Sequence, residues 1–255
     1  MTDFTIHQIE GYIQTLFLIE YPKKLLLLDS GCRCDVEVVV SFITQTLQRP
    51  LTDLQLVVLT HPHPDHLGGA HLYQKKWQIP IAGTASLNSW YKGFSGTLTH
   101  FTDIYLTYYV ARRKSKKVQN LWYPKTLNLD IILQPQDPLP HFEDWKIIAT
   151  PGHTLVDTSI YHPQSHTAYI ADCIIGFKNR YSLPYPIFHP QQYRQTLMRL
   201  KELSLQRTLL AHHGIHQIPS AVFDELYQAC PENPKNHRNS IKTRLKKAIP
   251  ISVFK

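Results

Sequence analysis

Three imidazoles and one carboxylate fall within six residues, at His61, His63, Asp65 and His66, in the run T-H-P-H-P-D-H-L-G-G that spans residues 60–69. Imidazole nitrogen and carboxylate oxygen are the donors that zinc prefers, with iron and manganese also compatible. His61 and His63 lie two apart and point the same way on an extended chain. Asp65 and His66 fall beyond them and can turn toward a second point, so two metal ions are the natural count. The plain alternative, histidines hydrogen-bonded in a proline-rich turn, explains single members but not the cluster. Pro62 and Pro64 fix φ and remove backbone donors, so this segment is expected to be held by its shape and its ligands.

Such donors need rigid elements behind them. Leu56, Val57, Val58, Leu59 and Thr60 lead into the cluster and predict a strand over 54–60. Gly68-Gly69 follows, and 70–77 predicts a short helix whose free amides would favour an anionic group near the metals. Upstream, 16–19 and 24–29 predict a hairpin ending at Asp29-Ser30-Gly31. There the aspartate either accepts from a ligand histidine or caps the turn. A helix is expected over 36–47 and a small strand over 79–82.

Two further fragments carry chemistry. A strand over 145–150 delivers Pro151-Gly152-His153-Thr154, and a hairpin with arms at 160–161 and 167–171 delivers Asp172. A carboxylate can bridge two cations. A strand over 208–211 ends in His212-His213-Gly214. Arg180, Tyr181, Tyr185 and His189, in the aromatic and proline-rich stretch after Asp172, are candidate substrate contacts. Helices are expected over 191–203, 220–230 and 237–249.

Residues 84–133 lose periodicity. They hold nine aromatic residues around the basic run Arg112-Arg113-Lys114-Ser115-Lys116-Lys117. A segment this long is expected to be a partly helical excursion that covers an active site, a partner surface or both. Aromatics beside cations suit phosphates or an anionic membrane surface, and a solvated basic turn in a lid is the plainer reading.

The 255 residues are 43% hydrophobic and 18% charged, with a net charge of +8, so a substantial core is available and an anionic substrate is favoured. No apolar run is long enough to span a membrane, and the first residues lack a secretory pattern, so a cytoplasmic location is expected. Cys32, Cys34, Cys173 and Cys230 form no disulfide framework or C-x-x-C site. Cys32 and Cys34 read as loop thiols and Cys173 as a core thiol.

The H-x-H-x-D-H run at His61, His63, Asp65 and His66, the isolated His153 in P-G-H-T, Asp172 and a late histidine before glycine together resemble the metal signature of the metallo-β-lactamase superfamily. The resemblance spans about residues 10–216. It implies a four-layer αββα sandwich as the catalytic domain over 1–216, with an insertion over 84–133 and a helical extension over 217–255 packed on it. It implies that His61, His63 and His153 hold one zinc ion, that Asp65, His66 and His213 hold a second, and that Asp172 bridges them. His213 is chosen over His212 because the family places this ligand directly before glycine. Asp65 would also orient the nucleophile or carry a proton. His63 at the second position of H-x-H departs from the flavin-partnered diiron reductases.

Two ions would activate a shared water for attack on a small, anionic ester, thioester, lactone or phosphodiester. The alternatives are a nuclease or phosphodiesterase of the same fold acting on nucleic acid, a mononuclear iron persulfide dioxygenase, and a non-catalytic scaffold. The expected partner is a small-molecule substrate. Nucleic acid is less favoured, peripheral membrane contact is a further reading, and the oligomeric state is not legible.

Overall fold

The computed structural model describes residues 4–177 and 180–235. A first six-stranded sheet runs in sequence order through β1 (Thr5–Glu10), β2 (Thr15–Tyr21), β3 (Lys24–Leu28), β4 (Leu54–Val58), β5 (Ile81–Gly83) and β6 (Ile131–Ile132). The first three strands pair antiparallel through tight turns. From β3 onward the pairing is parallel, so each connection must cross over the sheet face. The crossovers carry α1 (Val36–Ser41), then α2 (Pro64–Leu67) with α3 (Ala70–Trp77), then α4 (Gly93–Arg113).

The second sheet contains β7 (Pro138–Leu139), β8 (Phe142–Ala149), β9 (Thr158–His162) and β10 (Thr167–Tyr169). A short hairpin of β11 (Ile175–Phe177) and β12 (Arg180–Ser182) follows, then α5 (Pro190–Glu202). The chain returns to the second sheet as β13 (Arg207–Leu210) and β14 (Gly214–His216), in the order β14-β13-β10-β9-β8-β7, and α6 (Ser220–Ala229) closes the described part.

Alternation along the strands builds the layers. In β2 and β3, Leu16, Leu18, Leu25 and Leu27 face one apolar layer, while Phe17, Ile19, Leu26 and Leu28 face another. The first layer is shared with Val36, Val39 and Ile43 at helical spacing and with Tyr73 and Ile104 from α3 and α4. The other joins Trp145, Ile147, Ile160, Tyr169 and Leu209 of the second sheet. Tyr161, Ala168 and Leu210 then face Leu197 and Leu200 of α5 and Phe223 and Leu226 of α6. Three apolar layers separate four layers of structure, the αββα sandwich. Strands buried on both faces read as unbroken apolar runs, which is why β3 is L-L-L-L after its lysine.

The expected elements are present with shifted ends. The helix from Val36 stops at Ser41 and continues as a π turn over Phe42–Thr46. Pro64 opens a helical turn where the sequence suggested only an irregular loop, because proline at the first helical position gives up no hydrogen bond. The aperiodic stretch contains α4, a 21-residue helix. The expected helix over 237–249 lies outside the described residues.

Leu26 is fully buried between the sheets, whereas Val38 on α1 is 42% exposed. Leu26→Ala should therefore cost about 2–5 kcal/mol and Val38→Ala about 0.5 kcal/mol or less. Urea unfolding with chelator present, so that metal binding does not contribute, checks the contrast. Equal midpoints would contradict the layer assignment.

Candidate metal centre

The strand ends bring the donors together. β4 ends at Val58 and hands the chain to Thr60 and His61, and His63 flanks α2, which carries Asp65 and His66. β8 leads to His153, the turn after β10 carries Asp172, and the turn after β13 carries His212. His61, His63, His153 and Asp172 can direct one ligand atom each to a common point, as can Asp65, His66 and His212.

In the first group, His61 Nε2 and His153 Nε2 each lie 3.1 Å from His63 Nδ1. The outer ring nitrogens are committed elsewhere. Thr60 donates its hydroxyl proton to Asp29 Oδ2 at 2.7 Å, so His61 Nδ1–H donates to Thr60 Oγ1 at 3.0 Å. His153 Nδ1–H donates to the carbonyl of Pro186 at 2.7 Å. His63 Nε2 faces Asp103 Oδ2 at 3.7 Å. Three lone pairs therefore point at one another. Burial, with like-charged neighbours, pushes His61 and His63 well below the ordinary imidazole range, which keeps them neutral and able to ligate.

The second group follows the same pattern. His66 Nδ1–H donates to Asp29 Oδ2 at 2.6 Å, leaving Nε2 aimed at Asp172 Oδ1 (3.4 Å) and Asp65 Oδ2 (3.8 Å). His212 Nδ1–H donates to the carbonyl of Ile13 at 3.3 Å, and its Nε2 lies 3.4 Å from Asp65 and 3.2 Å from Asp172. Burial opposes charge on Asp172, but His212 and His66 outweigh it and hold the carboxyl well below the usual range. Burial likewise works against a charged His66, and the surrounding aspartates, Asp172 foremost, reverse it.

This donor set fits divalent metal. His66 Nε2 and Asp172 Oδ1 are buried without hydrogen-bond partners. Such orphaned atoms cost free energy unless a cation serves them. Asp172 stands between the groups, with Oδ2 3.9 Å from His61 and 3.7 Å from His153, and Oδ1 toward His66 and His212. That is the position from which a carboxylate bridges.

His212, not His213, belongs to this cluster, correcting the expectation from the sequence. The chain turns after Leu210, with the His213 amide donating to the Leu210 carbonyl at 3.2 Å. The turn carries the His213 ring away, to stack on His216 at 4.3 Å and pack against Gly176. Position before glycine was a poor guide, because the strand end selects the residue that projects.

A small cavity of ≈ 140 Å³ opens on the cluster, lined by His63, Asp65, His153, Asp172 and His212, with Ile13, Leu106, Val110, Tyr185 and Pro186 as apolar walls. Of the four expected substrate contacts, Tyr185 lies here. Arg180 and Tyr181 sit on β12, where Tyr181 meets His216 edge-on, and His189 precedes α5 with its amide bound to the Gly152 carbonyl at 3.0 Å. None of these three lines the cavity. The Gly69 amide, just before α3, is committed to the Gly31 carbonyl and the Ser30 hydroxyl.

The supporting shell was largely hidden in the sequence. Asp29, left open between two roles, receives His66, Thr60 and Tyr169 at 2.6–2.8 Å. It does so from a left-handed backbone with φ 60°. Ser30 binds the His66 carbonyl through its amide (2.8 Å) and hydroxyl (2.9 Å). Gly31 has φ 71°, and a Cβ there would meet Asp35 at 2.8 Å. Asp157 accepts from the Thr154 amide and hydroxyl and so fixes the His153 loop. Tyr123 and Tyr91 donate to the Pro62 carbonyl at 2.8 and 3.2 Å. The spacing T-x-x-D at 154–157 was the one readable signal among these.

Asp29→Asn replaces one acceptor oxygen by a donor amide facing three donors. Metal affinity at the Asp65, His66 and His212 group should fall about 10–100-fold, measured by competition with a chromophoric chelator. Unchanged affinity would show that His66 needs no such orientation.

The metallo-β-lactamase superfamily model matches residues 10–212 of the chain. The chain is 24% identical over 186 residues to the probable metallo-hydrolase YflN of Bacillus subtilis, a match covering 67% of this chain and 64% of that protein, so it spans less than two thirds of that relative. Among solved structures it is similar to the archaeal superfamily protein ST1585 of Sulfolobus tokodaii, with TM-score 0.65 and 19% identity over 89% of this chain and 87% of that one. It is also similar to the family protein TTHA1429 of Thermus thermophilus, with TM-score 0.63 and 15% identity over 97% and 83% of the two chains. The sandwich, the donors gathered at its strand ends and a family match over most of the length lead to one conclusion: the chain belongs to the metallo-β-lactamase superfamily.

Proposed function

We propose that the protein is a dinuclear zinc hydrolase acting on a small ester, thioester or lactone, in a reducing compartment such as the cytoplasm. The observation that carries this reading is the pair of buried, orphaned atoms, His66 Nε2 and Asp172 Oδ1, at the junction of two donor groups. His61, His63 and His153 would hold one ion, Asp65, His66 and His212 the other, and Asp172 would serve both. Ions so held supply Lewis acidity, activating water near neutral pH and polarising the bond under attack.

The chain's own residues do the rest. Asp65 lines the cavity, with its backbone carbonyl held by the Gln14 side chain, and its carboxylate would orient a water or take its proton. Ile13, Leu106, Val110 and Pro186 exclude bulk water and offer an apolar wall to an acyl group. The Lys114 ammonium donates to the Ile13 carbonyl, which also receives His212, and so braces the cavity wall that Ile13 forms. Apolar walls around the reacting centre favour acyl transfer over phosphodiester cleavage. Four unpaired cysteines, three of them buried, suit a reducing compartment.

Elemental analysis of the purified full chain should find about two zinc ions per chain, falling to about one or fewer in Asp172→Ala and in His212→Ala but not in His213→Ala. Hydrolysis screened across esters, thioesters, lactones and phosphodiesters should fall at least about 100-fold in the first two variants. Phosphodiesters as the best substrates would replace the acyl reading. One tightly held iron, with oxygen consumed, would overturn the hydrolase.

A further inference from the structure

The outer face of α4 is not used by the fold or by the proposed reaction. Its inner face is buried through Gly96, His100, Ile104, Thr107 and Ala111, and Asp103, Leu106, Thr107 and Val110 line the cavity. On the opposite side Phe94, Leu98, Phe101, Tyr105 and Tyr109 recur at helical spacing along about 22 Å and project into solvent. Phe94 is 82% exposed and Tyr105 68%. Trp122, also exposed, packs against Phe101 at 5.7 Å and widens the stripe. A row of large aromatics in water along one helix marks an interaction surface.

Charge identifies the occupant. Between residues 85 and 129 the chain has seven lysines and arginines and a single carboxylate, Asp103, whose side chain is 13% exposed and turned to His63 and Tyr91. Exposed Lys92 flanks one end of the stripe, and exposed Arg112, Arg113 and Lys117 flank the other. The partner must therefore be apolar and anionic. A second copy would set like charges against each other. Residues 233–255 contain seven cations and no acid, so that segment is no complement either. A polypeptide partner would have to supply an acidic-rimmed apolar groove shaped to this one convex helix, whereas a lipid surface receives such a face without one.

Aromatic side chains bordered by lysine and arginine match the boundary between headgroups and acyl chains of an anionic bilayer. We propose that the outer face of α4 docks the protein peripherally on an anionic lipid surface. None of the described helices is long and apolar enough to cross a membrane, so the attachment is in the interface plane. The same helix forms a cavity wall, which places the cavity about one helix diameter, roughly 10 Å, from the lipid. Docking does not depend on the reaction proposed above.

Sedimentation of the full chain with vesicles tests it, using phosphatidylcholine alone and phosphatidylcholine with phosphatidylserine, without substrate. The wild type should pellet with the anionic vesicles only, and less as salt is raised. Phe94→Ser with Tyr105→Ser should weaken binding about tenfold or more, as should Arg112→Glu with Arg113→Glu, both at wild-type metal content and melting temperature. Three results would overturn the proposal: wild type left in solution with both vesicles, undiminished binding of the aromatic variant, or light scattering showing a wild-type dimer that this variant dissociates.

Discussion

Seven side chains with no business facing one another in a protein interior do so here, and the fold is arranged around tolerating it. Nitrogen lone pairs of His61, His63 and His153 converge at 3.1 Å, and Asp172 lies against four imidazoles while buried. Without cations this is an arrangement of repulsion and unsatisfied polar atoms. It persists because four of the five rings are fixed from behind. Thr60, Asp29, Pro186 and Ile13 take the outer Nδ1 protons of His61, His66, His153 and His212, so each tautomer is fixed by the protein. Rings fixed in this way need no reorganisation when an ion arrives.

The sandwich explains why the supports come from far apart in the chain. The four parallel strands of the first sheet send their C-terminal ends to one edge, where open α/β sheets place their sites. Asp29 follows β3 and His61 follows β4 on adjacent strands, so a single carboxylate can bind Thr60 and His66 at once. Tyr169, from the second sheet, donates to the same oxygen at 2.7 Å. Asp29 thus ties the two sheets together at the metal edge, and its left-handed backbone, costly for a non-glycine residue, is held by these bonds.

What could be read from the sequence follows from this division. The candidate ligands at 61–66 are local in the chain and chemically distinctive, and the continuous apolar runs before them announce buried strands, so candidate site and layers were legible together. The choice between His212 and His213 was not. It depends on where β13 stops and how its turn unwinds, and a shift of one residue sends the side chain to another face. Asp103, Asp157, Tyr91 and Tyr123 were illegible for another reason. A buried aspartate or tyrosine acquires its role from partners dozens of residues away, as with Tyr123 and Pro62, and nothing in its local pattern records that. A partly helical excursion was legible, but the bounds of α4 were not, because its outer face is apolar as well, which erases the amphipathic period by which a surface helix is recognised.

That same two-sidedness makes the insertion more than a cover. A lid that only excluded water would need one apolar face, toward the cavity, and selection for solubility would make the other polar. Here the inward face places Asp103 beside His63 and sets Leu106 and Val110 as walls, while Tyr91 and Tyr123 flanking the helix grip the Pro62 carbonyl inside the ligand loop. The metal loop and the exposed aromatic stripe are therefore mechanically joined through one helix and two tyrosines. Moving α4 as a body would therefore disturb the support of His61 and His63, whereas exchanging side chains on its outer face leaves that support in place.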